Sequence, residues 1–96
     1  MMFKTIKYTK AFQKDYKRHK KSGPYKKNLD HDLSIVLKLL ETDTRLPIRY
    51  QDHQLIGNWA DHRDCHLKPD LILIYRKPDH KTLELVRLGT HNELSL

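Results

Sequence analysis

Residues 59–75, Trp59-Ala60-Asp61-His62-Arg63-Asp64-Cys65-His66-Leu67-Lys68-Pro69-Asp70-Leu71-Ile72-Leu73-Ile74-Tyr75, decide the fold. Side chains alternate with period two from Trp59 onward, which is the period of a strand. Trp59, Asp61, Arg63, Cys65 and Leu67 then take one face, and Ala60, His62, Asp64 and His66 the other. Lys68-Pro69-Asp70 turns the chain. Leu71 to Tyr75 is an unbroken apolar run and fits a central strand buried on both faces. Downstream, Lys77-Pro78-Asp79-His80 reads as a hairpin loop and Thr82 to Leu88 as the next strand, ended by Gly89.

Upstream the period changes. Leu29, Leu33, Val36, Leu37 and Leu40 form a stripe at helical spacing, so the sequence predicts a helix from Tyr25 to about Glu41 with one buried face. Phe12, Tyr16 and His19 repeat at helical spacing among lysines, with Thr9 as N-cap, and predict a first helix over Lys10 to about Lys21. Ser22-Gly23-Pro24 separates the two helices into an αα-hairpin. Phe3 to Tyr8 reads as a strand, Arg45 to Tyr50 as an irregular connection, and Leu55-Ile56-Gly57-Asn58 as a turn. The expected fold is α+β in the order β-α-α-β-β-β: an antiparallel sheet with the N-terminal α-hairpin on one face.

Ninety-six residues suit a single domain spanning 1–96. No apolar run approaches the ~20 residues that cross a bilayer, so no membrane association is expected. Met1-Met2-Phe3-Lys4 has no secretory h-region, and the single cysteine, Cys65, cannot close an internal disulfide. A cytoplasmic setting is expected. Lysine plus arginine is 19 against 12 aspartate plus glutamate, a net charge of +7. The excess crowds the first third: Lys4, Lys7, Lys10, Lys14, Lys17, Arg18, Lys20, Lys21, Lys26 and Lys27, with Asp15 the only acid among them. Such a block attracts polyanions, and it serves equally as a solvated face or a dock for an acidic protein.

The chemistry-bearing residues cluster late: Asp52-His53, Asp64-Cys65-His66, Asp70 and Gly89-Thr90-His91. His53, His66, Asp70 and His91 fall at strand ends or on adjoining loops, where antiparallel neighbours can bring them to one surface. Each alone reads as an ordinary turn, salt-bridge or solvated residue. Together on a cationic chain they suit acid–base cleavage of RNA, in which a base takes the 2′-hydroxyl proton, cations stabilise the phosphorane, and an acid protonates the departing 5′-oxygen. Arg87 has the right type for a phosphate clamp; Arg63, across its strand from His66, is less well placed. His62 and His66 form His-x-x-x-His, but on a strand they stand roughly 13 Å apart, too far for one metal ion. Cys65 is expected to be a buried small hydrophobe rather than a nucleophile. Trp59, Tyr50 and Tyr75 are able to stack on bases, with packing the default for Trp59 and Tyr75. His19, His31, His62 and His80 are expected to play no part.

The blocks Asp52-His53-x-Leu55-x-Gly57-x-Trp59, Arg63-Asp64-x-His66, Pro69-Asp70-x-Ile72-Leu73-Ile74-Tyr75 and Gly89-Thr90-His91 resemble the YafQ branch of the RelE-like bacterial toxins. The resemblance spans nearly the whole chain. It implies the RelE-like fold and the toxin of a type II toxin–antitoxin pair. It further implies a ribosome-dependent endoribonuclease that cuts mRNA in the A site, leaving a 2′,3′-cyclic phosphate and a 5′-hydroxyl, without metal or cofactor. By matching motif, the catalytic set becomes His53, His66, Asp70 and His91. Asp64 contributes less, and Arg87, Arg63 and Lys68 join it as substrate contacts. Asp70 is expected as general base and His91 as general acid, with His66 the alternative base. Expected partners are an acidic antitoxin, the ribosome and mRNA. One departure is that Asn92-Glu93-Leu94-Ser95-Leu96 lacks the aromatic these toxins carry after the last histidine. Two rival readings are a non-catalytic toxin of the ParE-like kind acting on DNA gyrase, and a basic nucleic-acid-binding module.

Overall fold

A computed structural model describes residues 5–96. Strand β1 spans Thr5–Tyr8, so Phe3 and Lys4 of the expected strand lie outside the described residues. Helix α1 (Lys10–Ser22) and helix α2 (Leu29–Glu41) follow, then β2 (His53–Gln54), β3 (Arg63–Lys68), β4 (Leu71–Asp79), β5 (Thr82–Gly89) and a short α3 (His91–Leu94). Thr9 caps α1 by accepting from the Phe12 N–H at 2.9 Å. His19, Lys20 and Lys21 lie in its last turn, where positive charge suits the helix dipole. Helix α2 starts four residues later than expected, because 26–28 form a 3-10 turn after Pro24.

The α+β class is as expected, but the sheet is mixed rather than wholly antiparallel. Its order is β1-β5-β4-β3-β2, and β1 runs parallel to β5. Every other pairing is antiparallel. The sequence places β1 before the α-hairpin and so leaves its partner undefined; the pairing with β5 spans 77 residues, from Thr5 to Thr82.

Phe12, Leu29, Leu33, Val36 and Leu40 from the helices pack on Cys65, Leu67, Leu71, Leu73, Tyr75, Leu83, Leu85 and Leu88. On the reverse face Ile72 and Ile74 meet Leu94 of α3, with Leu55, Trp59 and Val86 around them. The Leu71–Tyr75 run is therefore buried on both faces, as its unbroken apolar pattern predicts. Two departures from strict alternation matter. Strand β3 begins at Arg63, because residues 57–59 form a 3-10 turn and Asp61 takes a left-handed φ of 73°. Trp59 consequently packs on the face opposite Cys65, not beside it. On β5 one extra residue, Val86, falls between the pairs Ile74–Arg87 and Tyr75–Leu85. This bulge returns Leu88 to the helix face with Leu83 and Leu85, which a regular strand would not do.

Helix α1 is fastened to β5 by a carboxylate. Asp15, 2% exposed, accepts from Arg87 Nε (2.7 Å), Arg87 Nη2 (3.2 Å), Arg18 Nη2 (3.1 Å) and the Leu88 N–H (3.0 Å). Burial works to raise its pKa, and these donors outweigh burial, so the carboxyl titrates below its ordinary range. Removing one partner of a buried pair leaves the other uncompensated. Asp15→Ala is expected to cost about 3 kcal/mol in denaturant unfolding. Because the folded pKa is depressed, this advantage of the wild type is complete above the ordinary aspartate value of ~4 and fades as pH falls through the lower folded value. A stability gap that widens on acidification contradicts the clamp.

Candidate functional site

The site forms where β2, the β3–β4 turn and the end of β5 meet. Strand β2 is only His53–Gln54, and it pairs His53 with Asp64 across the ladder. The loop before it is tied down by Asp52, which accepts from the Tyr75 hydroxyl and from Arg63 Nη2 at 2.9 Å. His53 Nδ1 lies 2.8 Å from the Gln51 carbonyl and 3.1 Å from Asp64 Oδ1.

Asp64 is 3% exposed. Burial raises its pKa above the ordinary range; the neighbouring charges of His53, His66 and His91 work to lower it, and that of Asp52 to raise it. One buried carboxylate thus feels all three imidazoles. On β3, a register shift between His66 and Lys68 leaves Leu67 as the extra residue, and Pro69-Asp70 closes the turn to β4. His66 Nδ1 sits 3.3 Å from the Pro69 carbonyl.

His91 is the first residue of α3. Its backbone N–H and ring Nδ1 both bond Asp70 Oδ1, at 2.9 and 2.6 Å. Those two bonds, the backbone one first, hold the Asp70 pKa below the ordinary carboxylate range. The His66 and His91 rings meet edge to face, their centroids 5.5 Å apart. His53, Asp70 and His91 stay open to solvent.

All four expected site residues therefore converge: His53 through Asp64, and His66, His91 and Asp70 in direct succession. The expected cationic contacts are placed differently. Arg87 is bound to Asp15, Arg63 to Asp52, and Lys68 to Asp32 at 3.2 Å, so each already faces a carboxylate. Lys68 and His66 also line a hollow of about 370 Å³ with Ile35, Arg49 and Tyr50, beside the imidazole pair. Tyr75 and Cys65 are buried, and burial pushes both pKa values up, so neither meets a substrate as a stacking ring or thiolate. His62 lies outside β3 and rests edge-on against Trp59 at 5.2 Å.

His19 was expected to be idle; it is 4% exposed and pairs with Glu93, Nε2 to Oε1 at 2.9 Å. Its place on the face of α1 that carries Phe12 and Asp15 was the available signal.

A buried carboxylate with a raised pKa weakens the fold at neutral pH. Asp64→Asn is expected to raise the melting temperature at pH 7, with about 4–8 °C for each kcal/mol recovered. The folded pKa being raised, the ionised form's cost applies above that pKa and vanishes below the unfolded value of ~4, so the gain should disappear on acidification. Thermal melts at several pH values check this; a variant less stable than wild type at pH 7 contradicts it.

Over residues 4–96 the chain matches the model of a family described as bacterial toxin of type II toxin-antitoxin system, YafQ. It is 36% identical over 94 residues to the mRNA interferase toxin YafQ of Escherichia coli K12, covering 98% of each chain. A metal-bound toxin from Helicobacter pylori superposes with a TM-score of 0.81 at 44% identity, over 98% of this chain and 99% of that one. A chain from the E. coli DinJ-YafQ toxin-antitoxin complex superposes with a TM-score of 0.77 at 36% identity, over 93% of each. Those matches extend over the helices, the sheet and the histidine-bearing turns alike, and the chain belongs to the YafQ family of bacterial type II toxin–antitoxin toxins.

Proposed function

We propose that this toxin is an endoribonuclease that cleaves mRNA in the ribosomal A site, one histidine removing a proton from the RNA and another supplying one. The observation that carries the proposal is the His66–His91 pair, 5.5 Å apart and anchored through opposite partners. His66 Nδ1 points at the Pro69 carbonyl, which fixes the proton on that nitrogen and leaves Nε2 with a lone pair. His91 Nδ1 donates to the Asp70 carboxylate, which fixes the orientation of the ring and leaves Nε2 as the nitrogen to carry a transferable proton.

In this reading His66 Nε2 takes the proton of the ribose 2′-hydroxyl, and the 2′-oxygen bonds to the adjacent phosphorus. The bond from phosphorus to the 5′-oxygen breaks, and His91 Nε2 delivers its proton to that oxygen. The products carry a 2′,3′-cyclic phosphate and a 5′-hydroxyl. Asp70, expected as the base, is better suited to orienting His91: its Oδ1 is already occupied and its pKa is depressed. A depressed pKa makes a poor proton acceptor, so the base role passes to His66. His53, held over Asp64, supplies positive charge to the phosphorane. Both proton transfers have protein groups assigned to them, and no metal is needed for either.

The basic face of α1 fits the two expected partners: ribosomal RNA when the toxin acts, and an acidic antitoxin when it is silenced. The complex of E. coli YafQ with DinJ supports an antitoxin of that role here. Among the described residues no helix is long and apolar enough to cross a membrane, and a cytoplasmic site of action fits a ribosomal target.

Programmed ribosomes, mRNA and chelator test the proposal. The wild type should cut within the A-site codon, and His66→Ala or His91→Ala should each slow cutting by about 10²–10⁴-fold. Wild-type cutting by either variant refutes the assignment. Salt-dependent binding without cut ends points instead to a non-catalytic toxin or an RNA-binding module.

A further inference from the structure

Helix α3 is a single turn, and a single turn does not persist by its own hydrogen bonds. It is held from two sides. On one side Asp70 takes the backbone and ring N–H groups of His91. On the other, Glu93 closes a capping box: Thr90 Oγ1 accepts the Glu93 N–H at 3.2 Å, and Glu93 Oε1 accepts the Thr90 N–H at 2.9 Å.

The Glu93 carboxylate is in turn gripped by α1. His19 Nε2 meets Oε1 at 2.9 Å and Arg18 Nη2 meets Oε2 at 3.1 Å. Arg18 also reaches Asp15, so the grip continues into the clamp on β5. His19 is buried on its other side too, where Nδ1 has no hydrogen-bond partner. An unpaired buried nitrogen is costly, so the His19 ring is held here by its Nε2 contact and by packing. Two glycines make room for the pair. A Cβ on Gly89 would come within 2.9 Å of Glu93 Oε1, and one on Gly23 within 2.9 Å of His19 Nδ1.

We infer that Glu93, gripped by His19 and Arg18, is a positioning residue for His91. It fixes the turn that carries the imidazole, so that Nδ1 stays on Asp70 and the ring stays opposite His66. The inference rests on the reading of His91 as the general acid. It also assigns His19, far along the chain and outside the proton-transfer path, a part in setting that acid's geometry.

Glu93→Ala tests it beside Glu93→Gln, whose amide oxygen still accepts the Thr90 N–H. Glu93→Ala should lower kcat about 10–100-fold, with KM for programmed ribosomes unchanged, because displacement by about an ångström costs that much in a positioned reaction. Glu93→Gln should recover most of the rate. Imidazole NMR of the resting toxin supplies a readout that a plain helix cap would not move. In Glu93→Ala the His91 ring signals should lose the signature of the Asp70 bond, and in Glu93→Gln they should keep it. If Glu93→Ala does not fold, Glu93→Asp, one methylene short, takes its place with the same expectations. Unchanged His91 signals together with an unchanged kcat per folded molecule overturn the inference, whatever happens to the melting temperature. If the wild type itself cuts no mRNA, the proposed function fails, while the NMR comparison still decides whether Glu93 sets His91.

Discussion

The structure depends on one buried acid. Asp15 is the single carboxylate in a segment otherwise crowded with lysine and arginine, and it is turned inward to meet Arg87 and the Leu88 N–H. A lone charge in that position would be untenable; with four donors it becomes an anchor. The anchor docks α1 on β5 just where the strand gives way to Gly89, Thr90 and His91. Arg18 and His19, on the same helix, extend the hold to Glu93. The basic helix is thereby joined to the turn that carries His91. Its few inward polar groups hold that turn against the sheet.

A second buried acid behaves differently. Asp64 is as well buried as Asp15, yet it lacks a matching set of donors: Oδ1 has His53 nearby but no well-directed hydrogen bond. Burial therefore raises the pKa of Asp64, while hydrogen bonds lower that of Asp15. The contrast is between a buried acid matched by donors and one left without them.

Much of this was legible in the residues themselves. The Leu29–Leu40 stripe marked the buried face of α2, and the Leu71–Tyr75 run marked a strand covered on both sides, because each pattern reports burial directly. The convergence of His53, His66, Asp70 and His91 followed from strand ends joined by short turns. What was not legible depends on distant partners. The parallel pairing of β1 with β5 and the ties from α1 to Arg87 and Glu93 join residues more than 70 positions apart, and no local period encodes them. The bulge at Val86 breaks the alternation from which strand faces are read, and the turn at 57–59 delays the start of β3. The carboxylates that face Arg87, Arg63 and Lys68 were not legible either, because a sequence shows a cation without showing the distant acid that meets it.

The central claim is a division of labour between two imidazoles, His66 removing a proton and His91 supplying one. A substrate with sulfur in place of the 5′-oxygen at the scissile bond addresses it most directly, since a thiolate leaves without an acid. On that substrate His91→Ala should regain most of the wild-type cleavage rate, and His66→Ala should remain as slow as on ordinary mRNA. Rescue of His66→Ala, or failure to rescue His91→Ala, would contradict the account.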